Sequence, residues 1–200
     1  FEPLGMKEST FNPPAAWRDR IAPTEMVKGK VLRGVVHDET TRYMGGVAGH
    51  AGLFTTARDL ARFATFLLNL GELDGKRIVS PLTVRKFTEP QTPPHQATLR
   101  GLGWDIDSPF SGNRGELFPI GSFGHTGFTG TSLWIDPSTK TFVILLANSV
   151  HPKRGPAITA LRGKVATIAA ASAGIDVPGV LLTGYNEIQP GRAIGRNVQV

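Results

Sequence analysis

The chain has 200 residues, 40% hydrophobic and 19% charged, a composition that excludes a disordered chain and suits one domain with a proper core. No apolar run approaches the roughly 20 residues of a membrane helix, the longest being Phe142 to Ala147, and no membrane span is expected. A net charge of +6 without cysteine excludes disulfides and thiolate metal sites, and arginines scattered from Arg18 to Arg196, not interleaved with aromatics, argue against a nucleic-acid partner.

"FEPLGM" reads as a helix end, with Gly5 at the left-handed stop where a missing Cβ removes the steric penalty. Opening on Phe1 without a signal-peptide pattern, the chain is expected to be part of a longer polypeptide. Residues 7 to 54, rich in Gly, Pro and short polar residues, predict a long surface excursion with short strands or turns. The clearest helix follows. Thr56 with Asp59 suits an N-cap, and Leu60, Phe63, Ala64, Leu67 and Leu68 recur at helical spacing until Gly71. "LDGKRIVS" predicts a turn and extended pair; Ser80 and Pro81 then open a short helix to about Phe87.

From Gly101 the texture becomes β-rich: "GLGWDID", "SFGHTG", "GTSLWIDP" and "TFVILLANS" predict successive antiparallel strands. "SGNRG" between them reads as a hairpin turn. "FVILLAN", apolar on both faces, predicts a central strand covered by helices on each side. Residues 156 to 173 form an Ala-rich helix closing at Gly174. Residues 1–174 are thus one domain portion, and 175–200 a linker or the start of a following domain.

Glycine weakens a strand interior unless something must come close, so Gly124-His125-Thr126-Gly127 calls for attention. The order "HTG", "TSLWIDP", "FVILLAN", terminal helix, with "GGVAGHAGLFTTARDLARFATFLLNLGELDGKRIVSP" and "FEPLGM" upstream, resembles the C-terminal half of the class C β-lactamase and penicillin-binding-protein-like serine hydrolases. The resemblance covers residues 1 to about 172. It implies an α/β (α+β) fold of the β-lactamase/transpeptidase type, an antiparallel sheet flanked by helices, present as its C-terminal part only.

In such enzymes the Lys/His-Thr/Ser-Gly triplet lines the active site opposite a nucleophilic serine. His125 would offer an imidazole, Thr126 a hydroxyl, and Gly127 room for the substrate to approach the backbone. By the resemblance, the N–H of Phe128 is one of two donors to the oxyanion. Histidine where β-lactamases usually have lysine points to esterase-like and D-amino-acid peptidase-like relatives. His50, in "GVAGHAG", is a candidate substrate-binding residue or a structural one, and "VHDET" with His37 is a further stretch for the cleft rim. Trp104 and Trp134 read as packing residues.

The family's Ser-x-x-Lys is missing from these 200 residues. Thr83-Val-Arg-Lys86 is only a mimic, and neither Tyr43-Met-Gly45 nor Tyr185-Asn-Glu187 matches the tyrosine motif. Ser111-Gly-Asn113 matches the Ser-x-Asn variant within the supposed turn. No metal-ligand spacing is found and no cofactor is expected.

The expected function is that of the C-terminal part of a serine acyl hydrolase acting on a small-molecule or peptide substrate with an ester or amide bond. Its nucleophile would come from a missing N-terminal part of the same enzyme, and its location would be periplasmic or secreted. The alternative is a catalytically inactive module binding peptide or cell-wall fragments.

Overall fold

The computed structural model describes residues 1–176. Apart from Ile175 and Asp176, the segment read as a linker or further domain lies outside the described residues. The chain begins with a 3-10 turn, Glu2–Leu4, closed by Gly5 at φ +63°, ψ 29°, the left-handed stop its sequence suggests. The excursion that follows carries a 3-10 helix, Ala15–Arg20, a small hairpin of β1 (Met26–Val27) and β2 (Lys30–Val31), and helix α1 (Glu39–Tyr43).

Helix α2 (Ala57–Leu68) has the expected N-cap, with Thr56 Oγ1 accepting the Asp59 N–H at 3.3 Å. Asp59 does not complete a capping box. Its carboxylate is buried and accepts instead from the Glu8 N–H and the Ser9 hydroxyl, each at 2.8 Å. The first turn of α2 therefore anchors the start of the excursion, because a buried carboxylate must find donors. The hairpin of β3 (Glu72–Leu73) and β4 (Lys76–Arg77) turns through Asp74 and Gly75, both at positive φ, and leads to α3 (Pro81–Thr88), capped by Ser80.

The remaining strands are β5 (Leu99–Arg100), β6 (Asp105–Asp107), β7 (Phe123–Thr126), β8 (Thr131–Asp136) and β9 (Thr141–Leu146). They form one antiparallel sheet in the order β5-β6-β7-β8-β9, followed by α4 (Thr159–Ser172). Alternation along β8 sorts its side chains between two cores. Leu133 and Ile135 join Ala64, Phe66 and Leu67 of α2 on one face, and Trp134 joins Ala166 and Ala170 of α4 on the other. Trp104 lies against Phe63 and Phe123, with ring centroids 6.3 and 5.2 Å away, and the Trp134 indole N–H donates to Ser122 Oγ at 2.8 Å. Both tryptophans are packing residues.

Two expectations are corrected. "FVILLAN" does lie between α2 and α4, but β9 ends the five-strand order and no strand pairs with its outer edge among the described residues. Apolarity on both faces reports helices above and below a strand, not strands on either side of it. "SGNRG" is a buried 3-10 helix, Ser111–Arg114, rather than a hairpin turn. Arg114 donates there to the Ile106 carbonyl at 3.1 Å and to Asp107 at 3.2 Å. Burial pushes its guanidinium below the usual arginine range, with Asp107 acting against that shift.

Candidate active site

Sheet register assembles the site. Arg100 on β5 lies opposite Asp105 on β6, and Asp105 opposite Gly124 on β7, one residue before His125. The His125 side chain is half exposed, whereas that of Asp105 is fully buried. Arg100 Nη1 ion-pairs with Asp105 Oδ1, which also accepts the Ser108 hydroxyl at 2.9 Å. Asp105 Oδ2 has no hydrogen-bond partner among the described residues and lies 3.9 Å from His125 Nε2.

The contacts of the imidazole select its tautomer. A guanidinium can only donate, so Arg100 Nη2, 3.3 Å from His125 Nε2, requires a lone pair there. Nδ1 then carries the proton and donates it to the Thr126 carbonyl at 2.7 Å. In that tautomer His125 presents the Nε2 lone pair at an exposed corner, beside the Arg100 guanidinium.

Beyond Thr126 the chain turns back through residues 127–130. The Gly127 N–H donates to the Thr131 carbonyl at 2.7 Å and the Gly130 N–H to the Gly127 carbonyl at 3.1 Å. The Thr129 carbonyl accepts from the Ser149 N–H at 2.7 Å. Arg162, reaching from α4, donates through Nη2 to the carbonyls of Gly127, at 2.7 Å, and Thr131, at 3.1 Å. Burial pushes this guanidinium down from its ordinary range. The Phe128 N–H has no acceptor among the described residues.

The two glycines have an internal reason to be glycine. A Cβ on Gly124 would stand 2.2 Å from Trp134 Cε3 and 2.3 Å from the Leu133 carbonyl oxygen, and one on Gly127 would stand 2.1 Å from Thr131 Oγ1. The Trp134 indole covers the backbone at Gly124, so that glycine serves cross-strand packing.

Of the residues singled out in the sequence, His125, Thr126, Gly127 and Phe128 form one corner, and His37 joins them. The His37 ring stacks on Phe128 at 5.5 Å, the Arg154 guanidinium lies 4.5 Å from the same ring, and His37 Nε2 is 3.1 Å from Glu25. His50 is bonded to the residue that follows His37. It contacts Asp38 Oδ1 and Thr41 Oγ1, each at 3.1 Å, at the start of α1, and no hydrogen bond or ring contact joins it to residues 125–128 among the described residues. Thr83 Oγ1 is engaged with Ser80 Oγ on an exposed turn. Among the described residues no group of three or more His, Cys, Asp or Glu could hold a metal ion, and no helix is long and apolar enough to cross a membrane.

The sequence reading passes over Arg100, Asp105 and Arg162. Asp105, a carboxylate inside the strand "WDID", had to find a cation once buried. Arg162 falls on the face of α4 shared with Ala166 and Ala170, four and eight residues on, and so points at the sheet.

Comparison with known proteins agrees with this architecture. The Beta-lactamase family model matches residues 1–167. A protein of Salmonella gallinarum named "Putative D-alanyl-D-alanine carboxypeptidase" is 36% identical over an alignment of 169 residues that covers 76% of this chain and 38% of that protein; a protein of the same name from Salmonella newport is 35% identical. The chain thus spans 38% of the length of these curated relatives. Among solved structures, a β-lactamase of Mycobacterium bovis superposes with a TM-score of 0.55 at 21% identity, covering 86% of this chain and 53% of that one. A penicillin-binding protein homologue of Caulobacter crescentus superposes with a TM-score of 0.56 at 21% identity, covering 84% and 50%. On these grounds the chain belongs to the Beta-lactamase family of serine hydrolases and has the fold of β-lactamases and penicillin-binding proteins.

Proposed function

We propose that this chain supplies the oxyanion wall of a serine acyl hydrolase that cleaves an ester or amide bond, with peptides ending in D-alanyl-D-alanine as the first substrates to test. The observation that carries the reading is the Phe128 N–H. It has no acceptor within the described protein, on a turn where the carbonyls of Gly127, Thr129 and Thr131 are engaged, next to an exposed imidazole hydrogen-bonded to Arg100 and to the Thr126 carbonyl. A serine supplied by a part of the enzyme outside these residues attacks the substrate carbonyl. The oxygen that becomes negative accepts from Phe128. The Thr126 hydroxyl and the Arg100 guanidinium face the substrate's carboxylate, and the His125 imidazole faces the leaving group. As the intermediate collapses the bond to the amine or alcohol breaks, the leaving group takes up the proton that the serine hydroxyl gave up, and water then hydrolyses the acyl-serine. Cell-wall peptides of this kind would place the enzyme in the periplasm or outside the cell.

The test uses the full-length protein that contains this chain, assayed with a D-alanyl-D-alanine peptide and a chromogenic ester. Turnover of either is expected, and His125→Ala should lower kcat/KM by about 10²-fold with an unchanged melting temperature. A folded wild type that binds such peptides and turns over neither compound overturns the reading in favour of a non-reacting binding module.

A further inference from the structure

Among the described residues Arg162 is a buried cation without an anion. It is 9% exposed, no carboxylate among the described residues lies within ion-pairing distance, and its Nε has no hydrogen-bond partner. Its recorded bonds run from a single nitrogen, Nη2, to two main-chain carbonyls, those of Gly127 and Thr131. As packing this is a poor arrangement. Burying a guanidinium costs several kcal/mol unless it is paired, and an apolar side chain would fill the same place beside Ala166 at no such cost. The charge has to act on what it touches.

What it touches is one half of a peptide unit whose other half is the candidate oxyanion donor. The Gly127–Phe128 bond is trans, since His151–Pro152 is the cis bond recorded among the described residues. In a trans peptide the C=O and N–H point in opposite directions. An arginine that holds the Gly127 oxygen therefore fixes the direction of the Phe128 N–H, turning it away from α4. Thr131, the second carbonyl on Nη2, also accepts the Gly127 N–H, so one guanidinium ties both ends of the turn. Positive charge on the carbonyl side also draws electrons from the amide nitrogen and strengthens the N–H as a donor, because linked hydrogen bonds polarise one another.

We infer that Arg162 is a positioning residue of the oxyanion site: from behind the 127–131 turn it aims and polarises the Phe128 N–H toward the charge that develops on the substrate. The inference rests on the function proposed above. Arg162 touches neither substrate nor reacting atoms, and its effect belongs to the transition state. Removing an interaction made only there lowers kcat and leaves KM nearly unchanged.

The experiment compares wild type, Arg162→Met and Arg162→Lys in the full-length protein. Arg162→Met keeps the reach and removes the charge and the donors; Arg162→Lys restores one charged donor. Loss of an oxyanion donor elsewhere costs about 10²- to 10³-fold in kcat. Arg162→Met is accordingly expected to lose 10-fold to 10²-fold in kcat, with KM within about twofold. It should also lose affinity in parallel for a boronic acid that forms a tetrahedral adduct with the serine, and Arg162→Lys should recover most of both. The amide proton resonance of Phe128 should lie downfield in the wild type and move upfield in Arg162→Met. A folded Arg162→Met with unchanged kcat overturns the inference, as does Arg162→Lys matching Arg162→Met in both kcat and boronate affinity. Should Arg162→Met not fold, Arg162→Lys decides through its kcat-against-KM split and the Phe128 resonance: a fall in kcat alone with a shifted resonance supports the inference, and no change in either overturns it. A wild type inactive on all substrates overturns the proposed function, and the Phe128 resonance then decides separately whether Arg162 polarises that amide.

Discussion

The turn at residues 127–131 and the excursion at 7–54 meet where His37 stacks on Phe128, yet they are held by different means. The turn connects two strands that pair over Phe123–Thr126 and Ser132–Ile135, and its carbonyls at Gly127, Thr129 and Thr131 are held from behind by Arg162 and Ser149. The excursion has little ladder of its own. It is attached at points, by Glu8 and Ser9 on Asp59 and by Thr24 on His151. Ladder bonds are made and lost together, whereas point contacts open one at a time. A rigid wall beside a segment that opens locally is a suitable arrangement for a cleft that must admit a substrate.

The sheet side of this contrast breaks first at Gly124. In Gly124→Val the new Cβ meets the Trp134 ring and the Leu133 carbonyl at once, and neither can move without disturbing β8 or the packing on α4. Overpacking of this kind costs about 3 kcal/mol, and the expected result is a single cooperative transition at much lower denaturant concentration. A variant that unfolds like the wild type would show that Trp134 is not seated on that backbone.

The excursion side breaks at Asp59. Asp59→Ala leaves the Glu8 N–H and the Ser9 hydroxyl without their charged acceptor, for which about 2 kcal/mol is expected. The pattern should differ from that of Gly124→Val. Limited proteolysis should begin within residues 1–20 while near-UV circular dichroism of the tryptophans is retained. Simultaneous loss of both signals would mean that the excursion and the sheet are one cooperative unit.

The legible parts of this chain were those set by neighbours along it. The cap at Thr56, the spacing of Leu60, Phe63, Ala64 and Leu67, the turn at Asp74-Gly75 and the stop at Gly5 each depend on contacts within a few residues. The order and antiparallel sense of the late strands followed from short connections. What escaped depends on partners far along the chain. Ser111–Arg114 has the composition of an exposed turn, and only the Ile106 carbonyl and Asp107 make a buried 3-10 helix of it. That β9 ends the sheet order among the described residues depends on which strands pair, to which hydropathy is blind. The triplet at His125 stood out through its glycines, but its settings did not: Arg100 arrives from 25 residues before and Arg162 reaches Gly127 from 35 residues after.

A smaller effect is expected where the two regions touch. The Phe128 ring is 62% exposed, so Phe128→Ala removes little buried area, and it keeps the backbone N–H. It does remove the stack on His37 and the seat of Arg154, together worth about 1 kcal/mol. The expected signature is a small loss of global stability with faster amide exchange around His37 and no change along β8. Equal acceleration on both sides would mean that the ring, rather than Arg162 and Ser149, holds the turn.

The last test concerns α1, the short helix that begins just beyond His37. Asp38 caps it by accepting the Thr41 N–H at 2.7 Å. That bond first, then the Thr41 hydroxyl and His50, lower the Asp38 carboxyl from an ordinary 3.8 to about 2. A folded-state value below the unfolded one means that the helix binds its proton less readily than the open chain does. The contribution is therefore complete above about pH 4 and declines as pH falls from there through about 2. Amide exchange over residues 39–43, followed at pH 5 and at pH 2.5 against β8 as an internal reference, should show the helix opening at the lower pH while the sheet keeps its protection. Asp38→Asn presents an acceptor of the same shape that does not titrate, so its α1 should exchange faster than the wild type's at pH 5 and lose the pH dependence. A wild type and an Asp38→Asn variant that open in step as pH falls would transfer the effect to another group of the excursion and leave the Asp38 cap without a share in it.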